Sequence, residues 1–147
     1  MVERKLYRRF VAVLKNGNVA ARRYIVKSLA VCGSVESDVH AHMYATKALP
    51  SLVKCLETDD GRMIGNTALL LSQSHKNANI VADVVARGVV EKLLRHATND
   101  TMSEVVRHNC AVAIGKFCLA KPECLQQLRD LHGLEILHEV MKANKLV

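Results

Sequence analysis

Apolar residues in this chain recur at three- and four-residue intervals, the spacing that lines one face of an α-helix, and not in the alternation expected of strands. The pattern also repeats over a longer distance. Lys47-Ala48-Leu49-Pro50-Ser51-Leu52-Val53-Lys54-Cys55-Leu56 aligns with Gly88-Val89-Val90-Glu91-Lys92-Leu93-Leu94-Arg95 and with His132-Gly133-Leu134-Glu135-Ile136-Leu137-His138-Glu139-Val140-Met141. In this register Leu49, Val90 and Leu134 correspond, as do Leu52, Leu93 and Leu137. A weaker copy is Lys5-Leu6-Tyr7-Arg8-Arg9-Phe10-Val11-Ala12-Val13-Leu14, and the four starts lie 42, 41 and 44 residues apart.

The first three copies each run into a polar turn and then a second amphipathic helix. The turns are Lys15-Asn16-Gly17-Asn18, Glu57-Thr58-Asp59-Asp60-Gly61 and Thr98-Asn99-Asp100-Thr101, whose Asn, Asp, Thr and Gly stop one helix and cap the next. The helices that follow are predicted over Ala21–Gly33, Met63–His75 and Val106–Cys118, where Leu29, Leu71 and Ile114 coincide. Shorter helices are predicted near Ser37–Thr46, Ala78–Arg87 and Glu123–Leu131. One unit is therefore a short helix, a helix and a longer helix, and it buries its apolar face only by stacking on its neighbours. The units expected are a partial repeat over 1–35, repeats over 36–77 and 78–122, and a partial repeat over 123–147. Both ends cut through a repeat, which suggests a fragment or short form of a longer protein.

Composition agrees with packed helices: half of the residues are apolar, yet there is no Trp and there are only two Phe, three Tyr and two Pro. No apolar run reaches the roughly 18 residues of a membrane span, and no signal-peptide run follows Met1-Val2-Glu3-Arg4-Lys5. A cytoplasmic protein is expected, with the nucleus also compatible. The five cysteines, an odd number without C-x-x-C spacing, read as reduced thiols, four of them on apolar helix faces.

The quoted repeats resemble armadillo repeats, in which the second helix opens with Gly, an aliphatic residue and often Pro. Asn109-Cys110-Ala111-Val112-Ala113-Ile114 is similar to the small and apolar centre of that family's third helix. The second unit departs by carrying Lys47 at the glycine position. The resemblance implies an all-α, right-handed armadillo-type solenoid of about two complete repeats plus partial repeats at each end. The repeats are also similar to the armadillo regions of tetratricopeptide-repeat co-chaperones of the kind that serve myosin or dynein assembly. Third helices line the concave, peptide-binding face in that family. Carried over by position, the face here is Arg23, Lys27 and Val31, then Gly65, Leu69 and Gln73, then His108, Val112 and Lys116. Ile25, Leu29, Cys110, Ile114 and Phe117 are expected to face the core.

The tryptophans that family members use to hold nuclear-localisation peptides are missing, and only Gln73 could stand in for a backbone-gripping asparagine. Cations at 23, 27 and 116 favour an acidic or amphipathic partner segment. The formal charge is +7, and residues 1–35 hold all of the excess, with eight Lys or Arg against one acid. Arg4, Lys5, Arg8 and Arg9, with Arg22, form a basic cluster that keeps nucleic-acid binding open as the alternative function. Tyr7, Phe10 and Tyr24 are expected in the core, which leaves that cluster without stacking platforms.

His40-x-His42, with His75 or Cys55, does not give the paired four-ligand spacing of a structural metal site. No metal, cofactor or catalytic group is therefore expected. Gly65 and Gly115 fall inside helices, where close approach of a neighbouring helix would explain both. A monomer is expected, or weak self-association through exposed repeat ends.

Overall fold

The computed structural model describes residues 2–36 and 38–143; Met1, Ser37 and the closing Asn144-Lys145-Leu146-Val147 lie outside the described residues. Among those described, ten helices follow one another and no strand occurs: α1 Val2–Asn16, α2 Val19–Val35, α3 Asp38–Ala45, α4 Leu49–Cys55, α5 Gly61–Gln73, α6 Ala78–Ala86, α7 Val89–Ala97, α8 Glu104–Ala120, α9 Pro122–Asp130 and α10 Gly133–Ala143. Helices α2, α5 and α8 pack side by side as the continuous spine of the molecule. The equivalent helices α1, α4, α7 and α10 belong to corresponding positions of successive units, with α3, α6 and α9 between units. Helix α3, at 8 residues, is not shorter than α4, at 7, so the expected short helix is not the shortest of its unit.

Each spine helix starts where a polar side chain takes over an unpaired backbone N–H. Asn18 Oδ1 accepts from Ala21 N at 2.8 Å, Asp60 Oδ1 from Met63 N at 3.0 Å, and Ser103 Oγ from Val106 N at 3.3 Å. These N-caps start α2, α5 and α8 at Val19, Gly61 and Glu104, each two residues before the start predicted from apolar spacing. The spacing becomes visible only after the polar first turn, so it sets the start too late.

The step from short helix to second helix uses one backbone device in all three units. Lys47, Gly88 and His132 occupy corresponding positions and share the left-handed conformation, with φ of 57°, 64° and 54°. That conformation turns the chain out of α3, α6 and α9 and into α4, α7 and α10. Gly88 adopts it freely, whereas Lys47 and His132 bear the steric cost of a Cβ. The departure at Lys47 is thus one of residue type and not of geometry.

Helix α5 is buried on two sides. Met63 and Leu70 pack with Val26, Leu29, Met43 and Leu52 in one apolar cluster, while Ile64, Ala68 and Leu71 pack with Val90, Leu93, Cys110 and Ile114 in the next. Leu29, Leu71 and Ile114, aligned by the repeat, are at most 1% exposed. Burying each such side chain contributes about 1.5–3 kcal/mol. Leu29, Cys110, Ile114 and Phe117 face the core as expected, and Ile25 packs half-buried at its edge. Leu134 departs from its aligned partners Leu49 and Val90, being 41% exposed on α10.

Carboxamides stitch consecutive units together. Gln73 Nε2 donates to Ala30 O at 3.0 Å, Asn109 Nδ2 to Gly65 O at 3.1 Å and Gln127 Nε2 to Val85 O at 3.2 Å. Each bond reaches a helix carbonyl one unit earlier, so it fixes the offset between units as well as their distance. Gly65 permits this approach: a Cβ there would lie 3.2 Å from Val106 Cγ2. The same explanation fails for Gly115, where a Cβ would meet nothing within 4 Å.

Candidate partner-binding groove

A cavity of about 960 Å³ crosses the spine where α2, α5 and α8 lie side by side. Arg23, Tyr24 and Lys27 come from α2; Asp59 to Arg62, Gly65 and Asn66 from the start of α5; Thr101 to Ser103, Val105, Val106 and Asn109 from the start of α8. The N-caps Asp60 and Ser103 set where α5 and α8 begin, and so bring their first turns to the cavity wall beside the middle of α2.

The charges in this cavity are partly spent. Arg23 Nε donates to Asp60 Oδ2 at 3.1 Å, and Arg23 Nη2 bonds the same oxygen. The Arg23 hydrogen bond, aided by the Met63 and Arg62 backbone, holds the Asp60 carboxyl below its usual range against the opposing effect of burial. Lys27 and Arg62, both exposed, enter no ion pair among the described residues. Tyr24 is 72% exposed and Val105 68% exposed, so the wall also presents apolar surface to solvent.

The residues expected from the sequence divide accordingly. Arg23 and Lys27 line the cavity, but Arg23 is neutralised by Asp60. Leu69 and Val31 are exposed on the spine at 38% and 59%, outside the cavity lining. His108, Val112 and Lys116 are half-buried along α8 and do not line the cavity, so cations at 23, 27 and 116 do not make one basic groove. Gln73 turns its amide into the contact with α2, where Nε2 donates one bond to Ala30 O and Oε1 is enclosed. Gly65 is buried under α8, where it serves the helix contact.

Tyr24, expected in the core, is a correction: it projects from the exposed side of α2, whereas Tyr7 is buried and Phe10 half-buried. Sequence reasoning also missed Arg62, Asn66 and Val105. Arg62 and Val105 fall in the first turns of α5 and α8 and Asn66 in the second turn of α5, and the N-cap residues Asp60 and Ser103 were the signal that could have found them.

Arg4, Lys5, Arg8 and Arg9 are exposed on α1 and enter no ion pair among the described residues. Arg22 leaves that cluster: it is half-buried, its Nε is enclosed without a hydrogen-bond partner, and its charge bears on the Cys55 thiol.

The histidines of α3 engage neighbouring side chains. His40 is buried and its Nδ1 lies 2.8 Å from Ser74 Oγ, while His42 stacks on Tyr7 at 4.8 Å. The two histidines thus take different faces of α3. No group of three His, Cys, Asp or Glu able to hold a metal occurs among the described residues. Burial pushes the Cys110 thiol up to about 12 and the Cys118 thiol up to about 11, which keeps both protonated near neutral pH. Cys55 and Cys124 are buried, and Cys32 is exposed on α2. No helix among the described residues is long and apolar enough to cross a membrane.

No family model matches the chain. It is 34% identical over 136 residues to human tetratricopeptide repeat protein 12, a match covering 92% of this chain and 19% of that protein. The mouse protein of the same name is 30% identical over the same share of each chain. The chain thus spans about a fifth of the length of the curated relatives it matches. The crystal structure of an engineered protein superposes with a TM-score of 0.79 at 24% identity, covering 90% of this chain and 55% of that one, a likeness of fold alone. With its three-helix unit recurring along a common spine, the chain is a helical repeat protein.

Proposed function

We propose that this chain is a non-catalytic, protein-binding segment of a right-handed, armadillo-type solenoid, and that its partner lies across α2, α5 and α8. The observation that carries this reading is the cavity spanning three consecutive spine helices, with Tyr24 and Val105 exposed on its wall. Apolar surface gathered on the wall of one groove is what a contact surface requires, where single exposed apolar side chains elsewhere would carry nothing. The three-helix unit with its left-handed turn at Lys47, Gly88 and His132 supports the armadillo type. Raised thiol pKa values at Cys110 and Cys118 and histidines engaged in packing support a role without chemistry. Similarity to tetratricopeptide repeat protein 12 supports a helical-repeat module with a protein partner. A part in chaperone-assisted assembly in the cytoplasm belongs to the same proposal and rests on the resemblance of the repeats alone.

The test is affinity capture with mass spectrometry, comparing the chain with a Tyr24→Asp/Val105→Asp variant whose helical circular dichroism is unchanged. Both side chains are exposed, so the fold should tolerate the change. Loss of a specific set of proteins places the function in the groove; their retention rejects it.

A second reading, nucleic-acid binding, rests on the exposed Arg4, Lys5, Arg8 and Arg9 of α1, which enter no ion pair among the described residues. It predicts affinity for RNA or DNA that falls steeply with salt and disappears in an Arg8→Glu/Arg9→Glu variant.

A further inference from the structure

We propose that the groove contains a carboxylate seat, in which a partner's Asp or Glu side chain lies between Lys27 of α2 and Arg62 of α5, with a neighbouring apolar side chain over Tyr24 and Val105. This rests on the groove reading above and names the chemistry of its ligand.

The argument is one of charge left over. Five charged side chains line the cavity: Arg23, Lys27, Asp59, Asp60 and Arg62. Arg23 and Asp60 bind each other, and Asp60 is further held by backbone N–H groups at the start of α5, so neither is available to a ligand. Lys27 and Arg62 remain, set against Asp59 alone. Asp59 is exposed on the rim, which it shares with a smaller cavity of about 280 Å³. Neither cation enters an ion pair among the described residues, and the two belong to consecutive units and line one cavity, so one ligand lying in it can meet both.

The surroundings select the kind of anion. A nucleic-acid backbone carries a phosphate at every step and gains affinity from a run of cations. This cavity offers two, with the exposed Asp59 on its rim to repel further phosphates. One carboxylate fits that balance better, and the exposed ring of Tyr24 and side chain of Val105 reward an apolar neighbour. A basic segment would meet Lys27 and Arg62 unshielded. Lys116 lies outside the cavity lining and plays no part in the seat.

The experiment is fluorescence polarisation with three labelled peptides of equal length flanked by Gly-Ser: alternating Leu and Glu, alternating Leu and Gln, and alternating Gly and Glu. The Leu–Glu peptide should bind about tenfold or more tightly than either of the others, the discrimination expected of a charge pair at a partly desolvated surface. Lys27→Glu/Arg62→Glu should erase the preference for Glu over Gln, and Lys27→Gln/Arg62→Gln should do so without reversing the charge. Lys116→Glu should leave it in place. Equal binding of Leu–Glu and Leu–Gln overturns the proposal, as does unchanged Leu–Glu affinity in both Lys27/Arg62 variants. Displacement of the Leu–Glu peptide by a single-stranded oligonucleotide of matched charge, at lower concentration than by unlabelled peptide, also overturns it. If Leu–Glu and Leu–Gln bind equally and Tyr24→Asp/Val105→Asp abolishes both, the groove stands and only the seat falls. If captured proteins and peptides are alike indifferent to every groove variant, both readings fall.

Discussion

Asp60 caps α5 with one carboxylate oxygen and holds Arg23 of α2 with the other. One side chain thus starts a helix and ties it to the preceding unit. Asp60→Ala should cost about 1 kcal/mol or more through the lost cap alone, and Arg23→Ala should lower the urea midpoint by less. The sign of the pH effect follows from the depressed carboxyl. The unfolded chain takes up this proton first, near its ordinary value of 3.8, so the pair's contribution is complete above that pH and lost as pH falls through the lower folded value. Asp60→Asn keeps a capping side chain but removes the charge. The midpoint gap between it and the native chain should be present at neutral pH and close in acid; a gap independent of pH would show that the charge contributes nothing.

His40 should make the fold sensitive to mild acid. Burial lowers its pKa, opposed by a hydrogen bond to the Gly33 backbone and assisted by the charge of His75. The unfolded chain therefore protonates first, near 6.5, and stability present above that pH is lost as pH falls through it toward the folded value. Chemical unfolding of the native chain at about pH 7.5 and pH 5 should show a drop that His40→Gln reduces. The variant itself should be less stable at neutral pH by about 1 kcal/mol, because Ser74 loses one of its two buried partners and keeps its bond to Leu70 O.

The three left-handed positions give a test of backbone cost. Lys47→Gly and His132→Gly should each stabilise the chain, by about 1 kcal/mol, since both residues hold φ above 50°. Gly88→Ala should destabilise it by a similar amount, although a Cβ there would meet nothing within 4 Å. Thermal melts of the three variants would show gains and a loss of opposite sign; three losses would mean that the Lys47 and His132 side chains contribute more than their backbone costs.

The two helical glycines should behave oppositely. Gly115→Ala gains helix propensity of about 1 kcal/mol with no steric penalty. Gly65→Leu drives a large side chain against Val106 and separates Asn109 from the Gly65 carbonyl, and should cost about 1–3 kcal/mol. Differential scanning calorimetry should move the two midpoints in opposite directions. A destabilising Gly115→Ala would mean that its half-buried site has less room than its surroundings show.

Much of the architecture was legible because helix packing is written locally. The register of Leu29, Leu71 and Ile114 follows from the spacing of apolar residues, and burial of all three follows from stacking. The candidate groove was legible only in part. Lys27 was identifiable by position along its helix, but Arg62 and Val105 lie in polar first turns that apolar periodicity does not reach. Tyr24 was misplaced because an aromatic residue in a helix is ordinarily core, and nothing near it in the chain reports that no neighbouring helix covers it.

The sequence by itself determined which residues form helices, the unit that repeats and the side of each spine helix that is buried, since these depend on contacts a few residues apart and on the repeat of one pattern. Only the tertiary structure decided which polar groups are still free. Arg23 meets Asp60 and Gln73 meets Ala30 across more than thirty-five residues of chain, and such pairings depend on how far one unit slides and turns on the next. That offset is set by close approaches such as Gly65 under Val106, which leave no mark in the spacing of residues along the chain.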